Sequence, residues 1–162
     1  IAPGLGRSFA SEGWEFIPRK IWKKERHEAY SMIDYEKQLE IYGFDIDRRA
    51  VEASRVNAEE AGVDDSILFK KADMRKLRPV GKNGIIITNP PYGERIGEKK
   101  EIDEIYTSFN RFCRENPDWS FFMITTDKEA EEKAVGRKAD RRRKLYNGRL
   151  EVCYYQFHGE KR

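Results

Sequence analysis

Asn89-Pro90-Pro91-Tyr92 is the stretch whose residue types and order can do chemistry. Two successive prolines fix φ, remove two backbone donors and form a stiff corner through which no sheet continues. Asn89 offers a side-chain carbonyl, and Pro90 offers a main-chain carbonyl with no donor of its own. Together they can accept both hydrogens of a planar amino group, while Tyr92 supplies a flat face on which a base can stack. Accepting both hydrogens favours a pyramidal nitrogen, whose lone pair leaves the ring system and points at an incoming methyl group. That is stabilisation aimed at the transition state, and it needs no strong base. A strand that merely ends in a proline turn is the plain alternative.

The corner has to be positioned by what precedes it. Ile85, Ile86, Ile87 and Thr88 form a β-branched run that predicts a buried strand. The corner therefore falls at the carboxyl end of a strand, where open α/β sheets place ligands. Two earlier strand ends carry acids. Alternating apolar residues over 39–45 predict a strand closing near Asp45, followed by Asp47 as the N-cap of a helix over 48–61. Ala50, Ala53, Ser54, Asn57, Ala58 and Ala61 give that helix a small-residue face, and Gly62 is a natural stop. Residues 67–71 predict a third strand, followed by Asp73 and Met74. An acid at the first position can grip ribose hydroxyls. One at the second can accept from an adenine amino group, with Met74 against the ring. The order acid, acid, Asn-Pro-Pro-Tyr supports an adenosine-bearing cofactor lying across the strand ends. Each acid alone is also explained by capping.

Elsewhere, 19–36 predicts an amphipathic helix containing Trp22, Ala29, Tyr30 and Ile33. Residues 93–97 predict a glycine-flanked loop whose Arg95 either reaches a phosphate or is simply solvated. Ile102, Ile105, Tyr106, Phe109, Phe112 and Cys113 make a helical stripe that Asn116-Pro117 ends. Residues 120–125 predict a buried strand, and 129–134 a weak charged helix closed by Gly136. Asn147-Gly148, between strand-like runs over 143–146 and 149–157, predicts a closing hairpin. Between Arg137 and Arg149 seven basic residues face one acid, Asp140, within a chain of net charge +3. Such a stretch, with Arg141, Arg142, Arg143, Lys144 and Arg149, fits a phosphate-binding surface or an ordinary solvated face.

Length and composition bound the rest. A chain of 162 residues, 38% charged and 38% hydrophobic, suits one globular domain with a core. No run reaches a membrane span and no signal peptide is visible, and the lack of a disulfide framework at Cys113 and Cys153 fits a reducing cytoplasm. Two histidines and two cysteines without ligand spacing argue against a histidine triad, a metal centre and a disulfide framework.

The segments IAPGLGRSFASE, YGFDIDRRAVEASRVNAEEAG, KADM, TNPPYGERIG and RKADRRRKLYNGRLEVCYYQF carry a resemblance over essentially the whole chain. It resembles the class I S-adenosylmethionine-dependent methyltransferases, and more closely the bacterial THUMP-containing 23S ribosomal RNA guanine-N2 methyltransferases. The resemblance implies a Rossmann-like α/β sheet with a C-terminal antiparallel hairpin, acting on the exocyclic N2 of guanine in 23S rRNA. It implies that Asp45, with Ile46 beside it, holds the cofactor ribose and that Asp73, with Met74, holds adenine. Asn89, Pro90, Pro91 and Tyr92 would orient the amine, and the basic hairpin would help hold RNA. Such proteins carry a first strand and glycine-rich loop just ahead of the IAPGL-like stretch, and an RNA-binding THUMP domain further upstream. Neither is in this sequence, so residues 1–162 read as an N-terminally truncated catalytic domain, inactive alone, whose absent strand would be the central one. Adenine-N6 methylation of DNA or RNA, and a non-catalytic nucleic-acid-binding module of the same fold, are the competing readings.

Overall fold

The computed structural model describes residues 4–37, 39–76, 78, 81–92 and 98–160, with the backbone alone for 98 and 99. It divides into two compact units, Ile1–Ala72 and Asp73–Arg162. The expected loop over 93–97, Arg95 included, lies outside the described residues.

In the first unit, helix α1 spans Arg19–Ser31, shorter than the pattern over 19–36 predicts. Asp34 explains the early stop. Its Oδ1 accepts from the backbone N–H groups of Glu36 and Lys37 at 3.0 and 3.1 Å. This local turn competes with further helix. Trp22 stacks on Phe9 with ring centroids 5.7 Å apart. Arg26 ties the preceding loop to α1 by donating to Leu5 O and Arg7 O and pairing with Glu12.

Strand β1 (Ile41–Asp45) pairs in parallel with β2 (Ile67–Lys71), with Ile41 opposite Ile67 and Asp45 opposite Lys71. Helix α2 (Arg48–Glu60) connects them. It buries Val51 and Ala58, seven residues and so two turns apart on one face. Asp47 caps it as expected, with Oδ1 accepting from Arg49 N at 2.8 Å, and Gly62 follows it at φ +65°. Gly43 sits opposite Phe69, and a Cβ there would lie 2.5 Å from the ring, so the close approach requires glycine.

The second unit is a four-stranded sheet in the order β3-β4-β6-β5. β3 (Ile85–Thr88) and β4 (Ser120–Thr125) are parallel; β6 (Leu150–Phe157) runs antiparallel to β4 and to β5 (Arg141–Asn147). Helix α3 (Glu98–Glu115) covers one face with Ile102, Ile105, Tyr106 and Phe109, the expected stripe. These pack on Phe121, Met123, Tyr155 and Phe157, and the rings of Phe109 and Phe121 are 4.7 Å apart. A π-helical turn over Glu131–Val135, closed by Gly136 at φ +78°, replaces the weak charged helix.

Two expectations need correction. β3 is not a buried strand: Ile86 packs against the core, but Ile85 and Ile87 are 61% and 73% exposed. β3 pairs with β4 on one edge only among the described residues, and α3 serves the Ile86 face. The hairpin is also one residue out of place. Asn147 belongs to β5 and pairs with Leu150, so the turn residues are Gly148 and Arg149. Only Gly148, at φ +61°, has positive φ, which fits a two-residue turn led by glycine. Arg149 is therefore a turn residue, not the start of a strand.

Among the described residues no helix is long and apolar enough to cross a membrane. Cys113 and Cys153 are free thiols.

Candidate active site

The end of β1 is shaped by two nested side-chain turns. Asp45 Oδ1 accepts from Asp47 N at 2.7 Å, and Asp47 Oδ1 in turn accepts from Arg49 N. This geometry holds the Asp45 carboxylate, which is exposed, and leaves its second oxygen without a partner among the described residues. A vicinal diol could donate to that oxygen. Ile46 is 54% exposed beside it and offers an apolar wall. A depression of about 550 Å³ lies here, bounded by Ile46, Asp47, Arg48, Arg49, Glu52 and Lys71.

β2 ends next to β1, where Ala72 N donates to Asp45 O at 2.9 Å. Asp73 follows, and its environment differs. The Arg75 guanidinium grips both of its oxygens, with Nε at 2.9 and 3.0 Å and a terminal nitrogen at 2.7 Å. Arg75 N adds a fourth bond to Oδ1 at 2.9 Å. The guanidinium hydrogen bonds hold the Asp73 carboxyl below the usual carboxylate range, and Asp73 and Glu104 together raise the Arg75 pKa. Glu104 on α3 completes the group by accepting from Arg75 at 2.8 Å. A carboxylate has about four acceptor sites, so little capacity is left at Asp73 for an amino group while Arg75 stays in place. Met74 is half-buried and packs against the unit's core.

β3 delivers the corner. Asn89 is exposed at its carboxyl end, Pro90 is buried and Pro91 is exposed. A buried proline behind an exposed amide anchors the turn while the side chain reaches outward. Tyr92 is half-buried, and its hydroxyl is buried with no hydrogen-bond partner among the described residues. An unsatisfied buried hydroxyl is costly, which suits a residue that completes its bonding with a ligand.

The basic stretch lies on β5, where Arg141, Arg142, Arg143 and Lys144 are all exposed. Arg142 pairs with Glu131 at 3.3 Å and Lys144 with Glu151 at 2.6 Å. Arg149 is exposed in the turn. Sequence reasoning missed Arg75, Glu104 and Glu131. The only available signal was Asp-x-Arg at 73–75, a common spacing in charged loops.

A parallel strand pair with an acid at or after the end of each strand, and a mixed four-stranded sheet that carries Asn-Pro-Pro-Tyr after β3 and ends in an antiparallel hairpin, are elements of the Rossmann-like class I methyltransferase fold. Residues 1–156 match the family described as UPF0020: RMKL-like, methyltransferase domain, and the chain belongs to that family. YpsC of Bacillus subtilis (strain 168), provisionally named an RNA methyltransferase, is 42% identical over 157 residues, covering 97% of this chain and 40% of that protein. Ribosomal RNA large subunit methyltransferase K/L of Shewanella baltica (strain OS185) is 37% identical over 159 residues, 95% of this chain and 22% of that protein. The chain thus spans less than half the length of these relatives. Among solved structures, SMU.472, a provisionally named methyltransferase in complex with SAH, superposes with a TM-score of 0.85 at 42% identity. That match covers 99% of this chain and 42% of the other. A protein from Listeria monocytogenes str. 4b F2365, named as an N6-adenine-specific DNA methylase from prediction, gives 0.82 at 35% identity, covering 99% and 41%.

Proposed function

We propose that this chain is the catalytic domain of an RNA methyltransferase that uses S-adenosylmethionine to methylate the exocyclic N2 of a guanine in 23S ribosomal RNA. The observation that carries the reading is the exposed Asn89 held on the buried Pro90 at the carboxyl end of β3. It sits in a chain whose relatives include a ribosomal RNA methyltransferase.

Asn89 Oδ1 and Pro90 O accept the two hydrogens of the target amine and turn its lone pair outward. Tyr92 packs on the base plane, and its hydroxyl, without a partner among the described residues, takes one from the bound ligand. S-adenosylmethionine supplies the electrophilic methyl: the amine nitrogen forms a bond to it, the sulfonium C–S bond breaks to a thioether, and one amine proton leaves to solvent. Asp45, through its free oxygen, holds the ribose hydroxyls, with Ile46 against the sugar and base. Asp73 reaches the adenine amine only once Arg75 yields one of its bonds, and Met74 backs that contact from the core.

The domain reading extends to sequence beyond these residues. The edge of β3 that is unpaired among the described residues takes a further parallel strand that carries the glycine-rich cofactor loop. Without it, residues 1–162 alone do not bind the cofactor one-to-one with ordinary affinity, which isothermal titration checks. An RNA-binding THUMP domain in the same protein and a cytoplasmic site of action complete the reading.

The test is methylation of ribosomal RNA by the full-length protein with labelled cofactor, followed by nucleoside analysis. N2-methylguanosine is expected. N6-methyladenosine would transfer the reading to adenine, the base in the Listeria protein's name. Cofactor binding with no transfer to any RNA would leave a non-catalytic module.

A further inference from the structure

Strand β5 alternates its side chains between two faces of the sheet, and the four consecutive cations divide between them. Arg142 and Lys144 share a face with Tyr155 and Cys153, their register partners. That is the face of α3 and the π-helical turn, and there Glu131 pairs with Arg142 and Glu151 with Lys144. The charge of that pair is locally balanced.

Arg141 and Arg143 point to the opposite face, opposite Gln156 and Tyr154. Both are exposed, and neither side chain has an ion pair or hydrogen bond among the described residues. Inward along this face lies a row of rings. Phe122 on β4 meets Tyr154 at 6.2 Å and His158 at 5.5 Å between centroids. No carboxylate occupies a paired position on this face of β5 and β6.

We propose that this second face is the surface on which the protein carries single-stranded RNA, with phosphates on Arg141 and Arg143 and a base stacked on Tyr154. It rests on RNA being the substrate. Three features favour a polyanion with flat bases over a protein partner. Both cations are unneutralised, so charge complementarity is available without breaking an ion pair. Residues two apart on a strand are separated by about 6.7 Å, close to the step between successive phosphates of an extended strand. Half-buried aromatic rings beside exposed arginines offer stacking planes for unpaired bases. Arg142 and Lys144, though equally basic in sequence, are secondary because each must first part from its carboxylate.

The experiment measures affinity of the full-length protein for a single-stranded ribosomal RNA oligomer across a salt series. Each phosphate contact on a single strand contributes a slope of about 0.7, so R141Q/R143Q should flatten the dependence by roughly 1.4. R142Q/K144Q should flatten it by less than half as much. Tyr154→Ala should weaken binding about tenfold at every salt concentration without altering the slope. Arg143→Lys, which keeps the charge, should restore the wild-type slope and serves as the folding control. Equal flattening by both double variants, or none from R141Q/R143Q as a protein-docking face would give, overturns the proposal. If wild type still methylates RNA in that case, only this surface assignment falls. A wild type that neither binds nor methylates RNA removes the substrate reading with it.

Discussion

Asp45 and Asp73 occupy the same place in the pattern, each an acid at or just after the end of a parallel strand, yet they differ in what they can still do. Asp45 spends one oxygen on the turn that follows it and keeps the other. Asp73 has both oxygens gripped by Arg75, which Glu104 holds from α3. Position after a strand qualifies a carboxylate for ligand binding, whereas the neighbours decide whether its lone pairs are available. The difference divides the proposed work: Asp45 is ready to hold a diol, and Asp73 is gated by a guanidinium.

The largest expected effect comes from the third strand end, which calibrates both acids. Asn89→Ala in the full-length enzyme should lower turnover by about 10²–10³-fold, as loss of a donor or acceptor aimed at the reacting group does. Cofactor affinity should barely change, and single-turnover kinetics beside calorimetry would separate the two. Asp45→Ala should do the reverse. Loss of hydrogen bonds to a charged group costs about 1.5–3 kcal/mol, seen as weaker cofactor binding with turnover at saturation retained. If both variants gave one kinetic pattern, the strand ends would not have distinct roles.

Arg75→Ala should have the smallest effect and sharpen the comparison most. It would release the Asp73 carboxyl, whose titration by carboxyl NMR should move up toward the ordinary range. The folded-state pKa of Asp73 is depressed, so the stability contributed by the pair is fully present above the unfolded carboxylate value. It is lost as pH falls through the depressed folded value. The stability gap between wild type and Arg75→Ala should therefore close at acid pH. Freed from its partner, Asp73 should also bind an adenine amine more readily, raising cofactor affinity a little; a fall would make Arg75 itself a cofactor-positioning group.

Local signals were legible wherever one element decides its own outcome. The α3 stripe, the Asp47 cap and the Gly62 stop follow from helical period and backbone preference, and each is present. Outcomes that depend on a neighbour were not. Ile85 and Ile87 look like core residues by composition, but their exposure depends on whether anything covers that face and edge of β3. The Arg75 clamp joins residues far apart in sequence, 75 and 104, which no spacing rule anticipates. α1 stops early because one aspartate offers the chain a competing turn. The four basic residues of β5 read as one cluster in sequence, and only register with β6 separates them into a neutralised pair and a free pair.

The hairpin turn at Gly148-Arg149 makes that separation a matter of parity. Because the connection holds two residues, odd-numbered arginines are committed to one side of the sheet and even-numbered cations to the other. Lengthening the loop by one position and letting the strand slide to compensate would exchange the two sets. The protein would keep its composition, its total charge and its electropositive side, because Glu131 and Glu151 stay on the helical layer, but Arg142 and Lys144 would take over the unneutralised face.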